Sequence, residues 1–359
     1  MHTQQQTLKR LDAAYQRFFA KTGGFPDFKR YGDEPGLRFP DAKQIELDQA
    51  NGRVKLPKLG WMRMRQSRPV AGTLRNVSVT REGNKWFASI QVESGTTVEA
   101  LGVPPTLGID LGLTAFAATS EGELIAPLKA AANAKRKLKR AQRAVSRKKK
   151  GSANRKKAIV RVGNIHRRIA HQRADWLHKL TTDLADRHAV IAIEDLKVAN
   201  MSASAKGTAE APGKNARQKA ALNRGILDAA WGEFARQIGY KTEWRGGRTL
   251  RVDPAYTSQE CRICYHVCAE NRATQALLRC VACGHTEHAD AHASHNILER
   301  GIALFEATLS AAGHAAWENE RLGAKCPTAH GGVVRRAASA WTKRAAPVKR
   351  EPTKAMVLA

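Results

Sequence analysis

The chain has 359 residues, enough for two or three domains and at least one sizeable core. Its 61 Lys and Arg outnumber 32 Asp and Glu, giving a net charge of +29, and such an excess points to a polyanionic partner, most commonly nucleic acid. No apolar run approaches the roughly 20 residues that cross a bilayer, and the opening MHTQQQTLKR lacks the apolar centre of a signal peptide. A cytoplasmic protein with no membrane partner is expected, where disulfides are rare and clustered cysteines more often bind metal.

Residues 5–19 place Leu8, Leu11, Tyr15 and Phe18 three or four apart, which predicts one apolar helical face. From about 38 to 100 the period changes to two. Val77 and Val79, then Trp86, Ala88, Ile90 and Val92, alternate around a Gly83-Asn84 turn and predict an antiparallel sheet or small barrel. TLGIDLGLTAFAATSEGELI (106–125) reads as a buried strand, a glycine-marked bend and a returning strand. No acidic residue lies between Leu124 and Ala174, and the segment 135–157 alone carries thirteen Lys or Arg. Charge of one sign favours phosphate contact over an inert solvated face. The candidates are Arg136, Lys139, Arg140 and Arg143, then Arg147, Lys148, Lys149 and Lys150, then Arg155 and Lys156.

Helical spacing continues through Ile165, Ile169, Trp176, Leu180 and Leu184 to a buried strand at Ala189–Ile193. Residues 202–217 read as a polar mobile loop. One helix is expected next, with Leu222, Ile226, Phe234 and Ile238 on a single side, then two short strands, YKTEW and TLRVD. Beyond about 310 the chain loses periodicity, and a disordered tail holding Cys326 is expected.

Cys261, Cys264, Cys280 and Cys283 form two C-x2-C pairs separated by fifteen residues. Each pair makes a turn that aims two thiolates at one ion, and an intervening hairpin brings the pairs together. The pattern predicts one structural zinc per chain, because a closed four-sulfur shell leaves no position for substrate. Cys268, His266 and His285 are left out of that shell.

Three acids stand apart from the usual solvated ones. Asp110 sits within the apolar LGIDLG, Glu194 ends the strand IAIED, and Asp290 opens the helical DAHASHNILERG. A buried acid without a partner is costly. Converging carboxylates would relieve their repulsion by binding Mg²⁺ or Mn²⁺, and two such ions would activate water and stabilise the leaving oxygen of a phosphodiester. The spacing alone does not establish convergence.

GIDLGLTAFAATSEGELI, IAIEDLKVANM, YKTEWRGGRTLRVDPAYTSQECRIC and CVACGHTEHADAHASHNIL resemble, in this order, the TnpB/OrfB family of transposon-encoded RNA-guided nucleases, relatives of the compact type V CRISPR effectors. The resemblance runs from about residue 5 to about 300. It implies an α/β fold with an RNase H-like RuvC nuclease domain and an inserted four-cysteine zinc ribbon, beside an N-terminal helical and β-barrel-like lobe. It implies Asp110, Glu194 and Asp290 as the metal-binding catalytic triad, with DNA and a guide RNA as partners. The expected divisions are a helical remnant (1–37), a β-rich lobe (38–103) and the first part of the nuclease domain (104–256) with a basic helical insertion (126–187). The ribbon (257–287), a last nuclease helix (288–310) and the basic tail (311–359) follow. The family usually begins with a further strand and helices, and here the chain opens inside that module. Around the third acid, members often read D-x-D-x-N where this chain has His288-Ala-Asp290-Ala-His292. Two rival readings are a cleavage-dead nucleic-acid-binding remnant and a stand-alone DNA-joining recombinase.

Overall fold

The computed structural model describes residues 2–28, 36–83, 85–93, 105–205, 213–321 and 353–358. They divide between two units, 1–97 with 346–359, and 98–345. In the first unit the predicted helix, α1, spans His2–Phe19. Leu8 and Leu11 on its apolar face stay exposed, while Tyr15 and Phe18 set their rings against Phe25 in the turn that follows. The period-two segment forms β1 (Gly36–Phe39), β2 (Glu46–Asp48), β3 (Arg53–Leu56), β4 (Gly60–Gln66), β5 (Thr73–Glu82) and β6 (Lys85–Glu93). All pair antiparallel. The alternation places Val77, Val79, Ala88, Ile90 and Val92 in one buried cluster with Val54 and Leu56, as a one-sided sheet requires. Gly83 makes the predicted turn at φ 63°, and Asn84 lies outside the described residues.

The sheet also takes a strand that the sequence reading misses. Thr353–Leu358, within the expected disordered tail, pairs antiparallel with both β4 and β6, so the order is β1-β5-β6-(353–358)-β4-β3-β2. Two strand edges facing one another supply backbone partners for a segment whose own pattern is too short to announce itself. Cys326 lies outside the described residues.

The second unit begins with β7 (Thr106–Leu111), β8 (Ala117–Thr119) and β9 (Leu124–Ile125), a meander around the glycine-marked bend. Helices α2 (Ala130–Ser146) and α3 (Ala153–Arg187) lead to β10 (Val190–Glu194), one residue later than expected. A short α4 (Val198–Met201), α5 (Ala216–Ala229), α6 (Trp231–Trp244) and β11 (Arg248–Val252) follow. Residues 206–212 of the predicted loop between α4 and α5 are outside the described residues. The sheet order is β11-β10-β7-β8-β9, with β10 parallel to both β7 and β11 and the other pairs antiparallel.

Two expectations fail here for identifiable reasons. The single helix over Leu222–Ile238 is two helices, because Ala230 takes φ 57° and turns the chain, leaving Leu222 exposed. YKTEW is the last turn of α6 and not a strand. A helical period continues from Phe234 and Ile238 to Lys241 and Thr242, all buried. The Lys241 ammonium donates to His178 O, Thr181 Oγ1 and Thr182 Oγ1 of α3, each at 2.8 Å, so the bonds that fix this turn are tertiary and not local.

Each strand of this sheet has two faces. Leu107, Ile109 and Leu111 of β7, with Ile191 and Ile193 of β10, pack with Leu177 and Leu184 of α3 and Phe234 and Ile238 of α6. The alternate residues Val190 and Ala192, with Leu250 and Val252 of β11, pack against Ile297 and Leu298 of a last helix, α7 (Ala289–Arg321). That helix runs past 310, where an aperiodic tail is expected. A Cβ on Gly108 of β7 would fall 2.1 Å from Ser294 O, and one on Gly301 of α7 would fall 2.8 Å from the Ala192 Cβ. The two glycines therefore let α7 lie directly on the sheet. Among the described residues no helix is long and apolar enough to cross a membrane.

Candidate active site

The strand register brings the first two acids together. Ile109 pairs with Ile193 across the parallel strands β7 and β10, so Asp110 and Glu194 stand one step further along, level with one another. Because Ile109 and Ile193 face the α3–α6 core, alternation turns Asp110 and Glu194 to the α7 face. Asp290 lies in the first turn of α7, the helix on that face.

The electrostatics report the convergence. Burial first, then the charges of Glu194 and Asp290, push Asp110 up to about 7, against the opposing pull of Arg272. Burial also raises Glu194, opposed by the Thr257 hydroxyl, which donates to its Oε1 at 2.6 Å, and by the charge of Arg300. Asp290 is partly exposed and meets Arg272 Nη2 at 3.5 Å. Among the described residues, two groups have all their potential ligand atoms within 4.8 Å of one another, and the three acids are not one of them. They share one site without closing on one point.

The donor set is all oxygen, with a hydroxyl fixing one acid. Such a set fits a hard divalent cation, which would lower the repulsion that keeps a proton on Asp110.

Spacing gave no sign of Thr257, Arg272 or Arg300. Thr257 sits in the turn after β11, and Asn296 of α7 donates to its carbonyl at 2.9 Å. Arg300 pairs with Glu260 and donates to Ala255 O at 2.6 Å. These bonds tie the chain before the cysteines to α7. Arg272 lies between the two cysteine pairs, so the ribbon itself places a cation at the site.

One of the two close-set ligand groups is the four cysteines. Cys261 Sγ lies 3.7 Å from Cys283 Sγ, and Cys264 Sγ 3.5 Å from Cys280 Sγ. Four sulfurs about 2.3 Å from a central ion would be separated by roughly 3.8 Å in a tetrahedron, so the shell is near the right size. The hairpin of β12 (Leu277–Arg279) and β13 (Thr286–His288) carries the second pair to the first. The backbone N–H of Cys283, against the opposing effect of burial, and the N–H of Ala282 bring the Cys280 thiol down to about 6. Cys268 stands apart, its Sγ toward Glu270.

The basic candidates lie on α2, on the turn after it and on the start of α3. Among the described residues no carboxylate pairs with any of them. Nine keep the accessible setting that phosphate contact needs, whereas Arg155 donates to Val145 O at 3.3 Å and to Lys148 O at 3.2 Å. Arg155 is therefore a staple of the turn. Asp228 of α5 accepts from Ala131 N and Arg173, which anchors the start of α2 to the sheet-bound helices.

Residues 89–205 match the family model OrfB_IS605, described as "Probable transposase", and residues 231–297 match the Cas12f1-like TNB domain. The chain is 46% identical over 300 residues to the "Putative RNA-guided DNA endonuclease InsQ" of Escherichia coli K12, covering 84% of this chain and 74% of that protein. The chain belongs to the TnpB/OrfB family. Within this wider group it is 26% identical to the CRISPR-associated endodeoxyribonuclease Cas12f1 of Sulfoacidibacillus thermotolerans, over 60% of this chain and 50% of the other. A solved Cas12f1–sgRNA–target DNA complex aligns with a TM-score of 0.46 and 14% identity, over 79% of this chain and 67% of that one. The two family models meet the chain on either side of the loop before α5, and together they span the strands that carry Asp110 and Glu194, the four cysteines and Asp290.

Proposed function

We propose that this chain is an RNA-guided DNA endonuclease whose cutting centre is Asp110, Glu194 and Asp290 in an RNase H-like, RuvC-type domain. The observation that carries this reading is geometric: the β7–β10 register sets Asp110 level with Glu194 on the sheet face that α7, with Asp290 in its first turn, covers. The sheet order, with a parallel strand pair added beside an antiparallel meander, is the frame such a site uses, and the β-rich unit stands as its barrel-like companion lobe. Mg²⁺ or Mn²⁺, a pair of ions held by the three carboxylates, would supply the activation of water and the stabilisation of the leaving oxygen.

The chain's own residues prepare that centre. A cation held beside Asp110 would favour its charged form, offsetting both the burial and the neighbouring carboxylate charges that raise it. Thr257 holds Glu194 by its Oε1. Arg272 pairs with Asp290 at 3.5 Å and its charge opposes the rise of Asp110. The four-cysteine ribbon, as a zinc site, fixes Arg272 and the entry to α7. The basic α2–α3 hairpin holds phosphate backbone while base pairing of the guide reads sequence.

The test is cleavage of DNA complementary to the RNA that co-purifies with the full chain, with Mg²⁺ and with EDTA. Wild-type protein should cut only with Mg²⁺, and Asp110→Ala should bind target without cutting it. Wild-type protein that binds guide and target yet leaves the DNA intact with Mg²⁺ would overturn the reading.

A further inference from the structure

The second close-set group of ligand atoms among the described residues is His285, Glu287 and His292, and neither the four-cysteine shell nor the carboxylate site uses it. Glu287 lies on β13, His285 immediately precedes that strand after the second cysteine pair, and His292 lies in the first turn of α7. Glu287 Oε2 lies 3.2 Å from His285 Nε2 and 2.9 Å from His292 Nδ1. Two imidazoles and a carboxylate about 2.0–2.2 Å from one ion would be separated by roughly 3.3 Å. The nitrogens and the oxygen are already near that spacing.

The surroundings add three observations. His292 is fully buried, and its other nitrogen, Nε2, lies 2.9 Å from the carbonyl of Glu260 and 3.2 Å from the backbone N of Arg262. Glu287 Oε2 accepts from Nδ1 in the metal-free cluster; an ion would take the place of that hydrogen while Nε2 stays on the Glu260 carbonyl, the arrangement that orients metal-bound histidines. His295, three residues on along α7, stands about one turn beyond His292 on the same side of the helix. The one competitor is Arg262, whose Nε lies 3.0 Å from the same Glu287 oxygen. That Nε is buried and makes no well-directed hydrogen bond, so a cation taking Glu287 would displace a poorly seated partner.

We propose that His285, Glu287 and His292 form a second zinc site, separate from the four-cysteine shell, that pins the ribbon hairpin to the start of α7. Imidazole and carboxylate ligands suit zinc and its neighbours rather than Mg²⁺. Three protein ligands leave a fourth position for water or His295, so the ion here exchanges more readily than one held by four thiolates. Since His292 follows Asp290 by two residues, the same ion stiffens the turn that presents the third acid.

The experiment loads the full-length chain with Zn²⁺, removes excess by gel filtration and counts bound zinc. Wild type should hold two per chain and His292→Asn, His285→Ala and Glu287→Gln one each. Loading with Co²⁺ separates the sites: thiolate ligation gives intense near-ultraviolet charge-transfer bands, and the second equivalent should add only weak visible bands, absent from all three variants. Thermal melts without added metal check that each variant folds, and the conservative Glu287→Gln keeps the shape of the cluster if His292→Asn does not. One zinc per wild-type chain, or a second equivalent that survives in Glu287→Gln and His285→Ala alike, overturns the proposal. The cluster would then be a hydrogen-bonded clamp.

Discussion

The carboxylate site and the four-cysteine ribbon are adjacent in sequence and opposite in logic. At the first, the fold forces together groups that repel, so that Asp110 is held up to about 7 by burial and two neighbouring charges. Its geometry comes from the packed sheet, with Leu107, Ile109, Ile191 and Ile193 completely buried behind it. At the second, only short strands and turns surround the cysteines, and Ile263, Tyr265 and Val281 on the ribbon stay exposed. A region with so little core depends on its ion for structure. On the proposed reading, metal would be a reagent at one site and a structural member at the other. Each prediction below tries to break that contrast.

The largest effect is expected at Asp110. Asp110→Asn should reduce Mg²⁺-dependent cutting by about three orders of magnitude or more, since it removes charge where the cation and developing negative charge are held. Target binding should change little. A cleavage assay on the guide-loaded protein reads the first and a filter-binding titration the second. Loss of both together would make Asp110 a structural acid.

Cys280→Ser should act the other way round, on structure first. Zinc content should fall, and limited proteolysis should open the ribbon between 257 and 288 while the sheet core stays protected. Cutting should also fall, by about tenfold to a hundredfold, because Arg272 and the start of α7 lose their support. Full zinc content and unchanged proteolysis in the variant would remove the ribbon from the structural class.

A third measurement asks whether the basic hairpin binds the nucleic acid that the carboxylate site would cut. Changing Arg147, Lys148, Lys149 and Lys150 to Gln should weaken nucleic-acid binding by about tenfold at moderate salt, similarly for all sequences. The slope of log affinity against log salt should flatten by up to about three. Arg155→Gln should instead loosen the turn, since its guanidinium is spent on Val145 O and Lys148 O. An unchanged slope in the quadruple variant would leave the hairpin a solvated face.

What was legible in the sequence follows the same divide. The paired cysteines announce themselves by local spacing, because a knuckle is a local structure. The alternation of β5 and β6 and the long period of α3 are equally local. The three acids were visible as anomalies in apolar settings, but their meeting depends on strand register and on Gly108 letting α7 approach. Register is a property of strand pairs far apart in sequence, and Gly108, although two residues from Asp110, shows its role only once α7 is packed on β7. Thr257, Arg272 and Arg300 had no signal, since their roles are contacts across the fold. The failures have the same origin: YKTEW is helical because Lys241 reaches α3, and 353–358 is a strand because β4 and β6 receive it.

The smallest predicted effect, and the sharpest on the contrast, is the dependence of stability on pH. Asp110 titrates near 7 in the folded, metal-free protein and near 3.8 when unfolded. Between those values the folded state binds more protons than the unfolded one. Stability contributed by this group is therefore fully present below about pH 4 and lost as pH rises through about 7. Glu194, also raised by burial, adds to the loss with the same sign. The shift implies a penalty on the order of 4 kcal/mol above pH 7, felt only without a cation. In EDTA, wild-type protein should then gain melting temperature relative to Asp110→Asn as pH falls from 8 to 5.5, by a few degrees. At pH 8 the variant should be the more stable of the two. Saturating Mg²⁺ should close that gap by stabilising wild type alone, and the Mg²⁺ concentration needed should rise as pH drops below 7, because a proton then competes for Asp110. Scanning calorimetry at the two pH values, with and without Mg²⁺, reads all of this on one pair of proteins. If Asp110→Asn melts below wild type at pH 8 in EDTA, the carboxylate is satisfied by the fold itself, and the carboxylate site is no more dependent on metal for its charge than any paired acid.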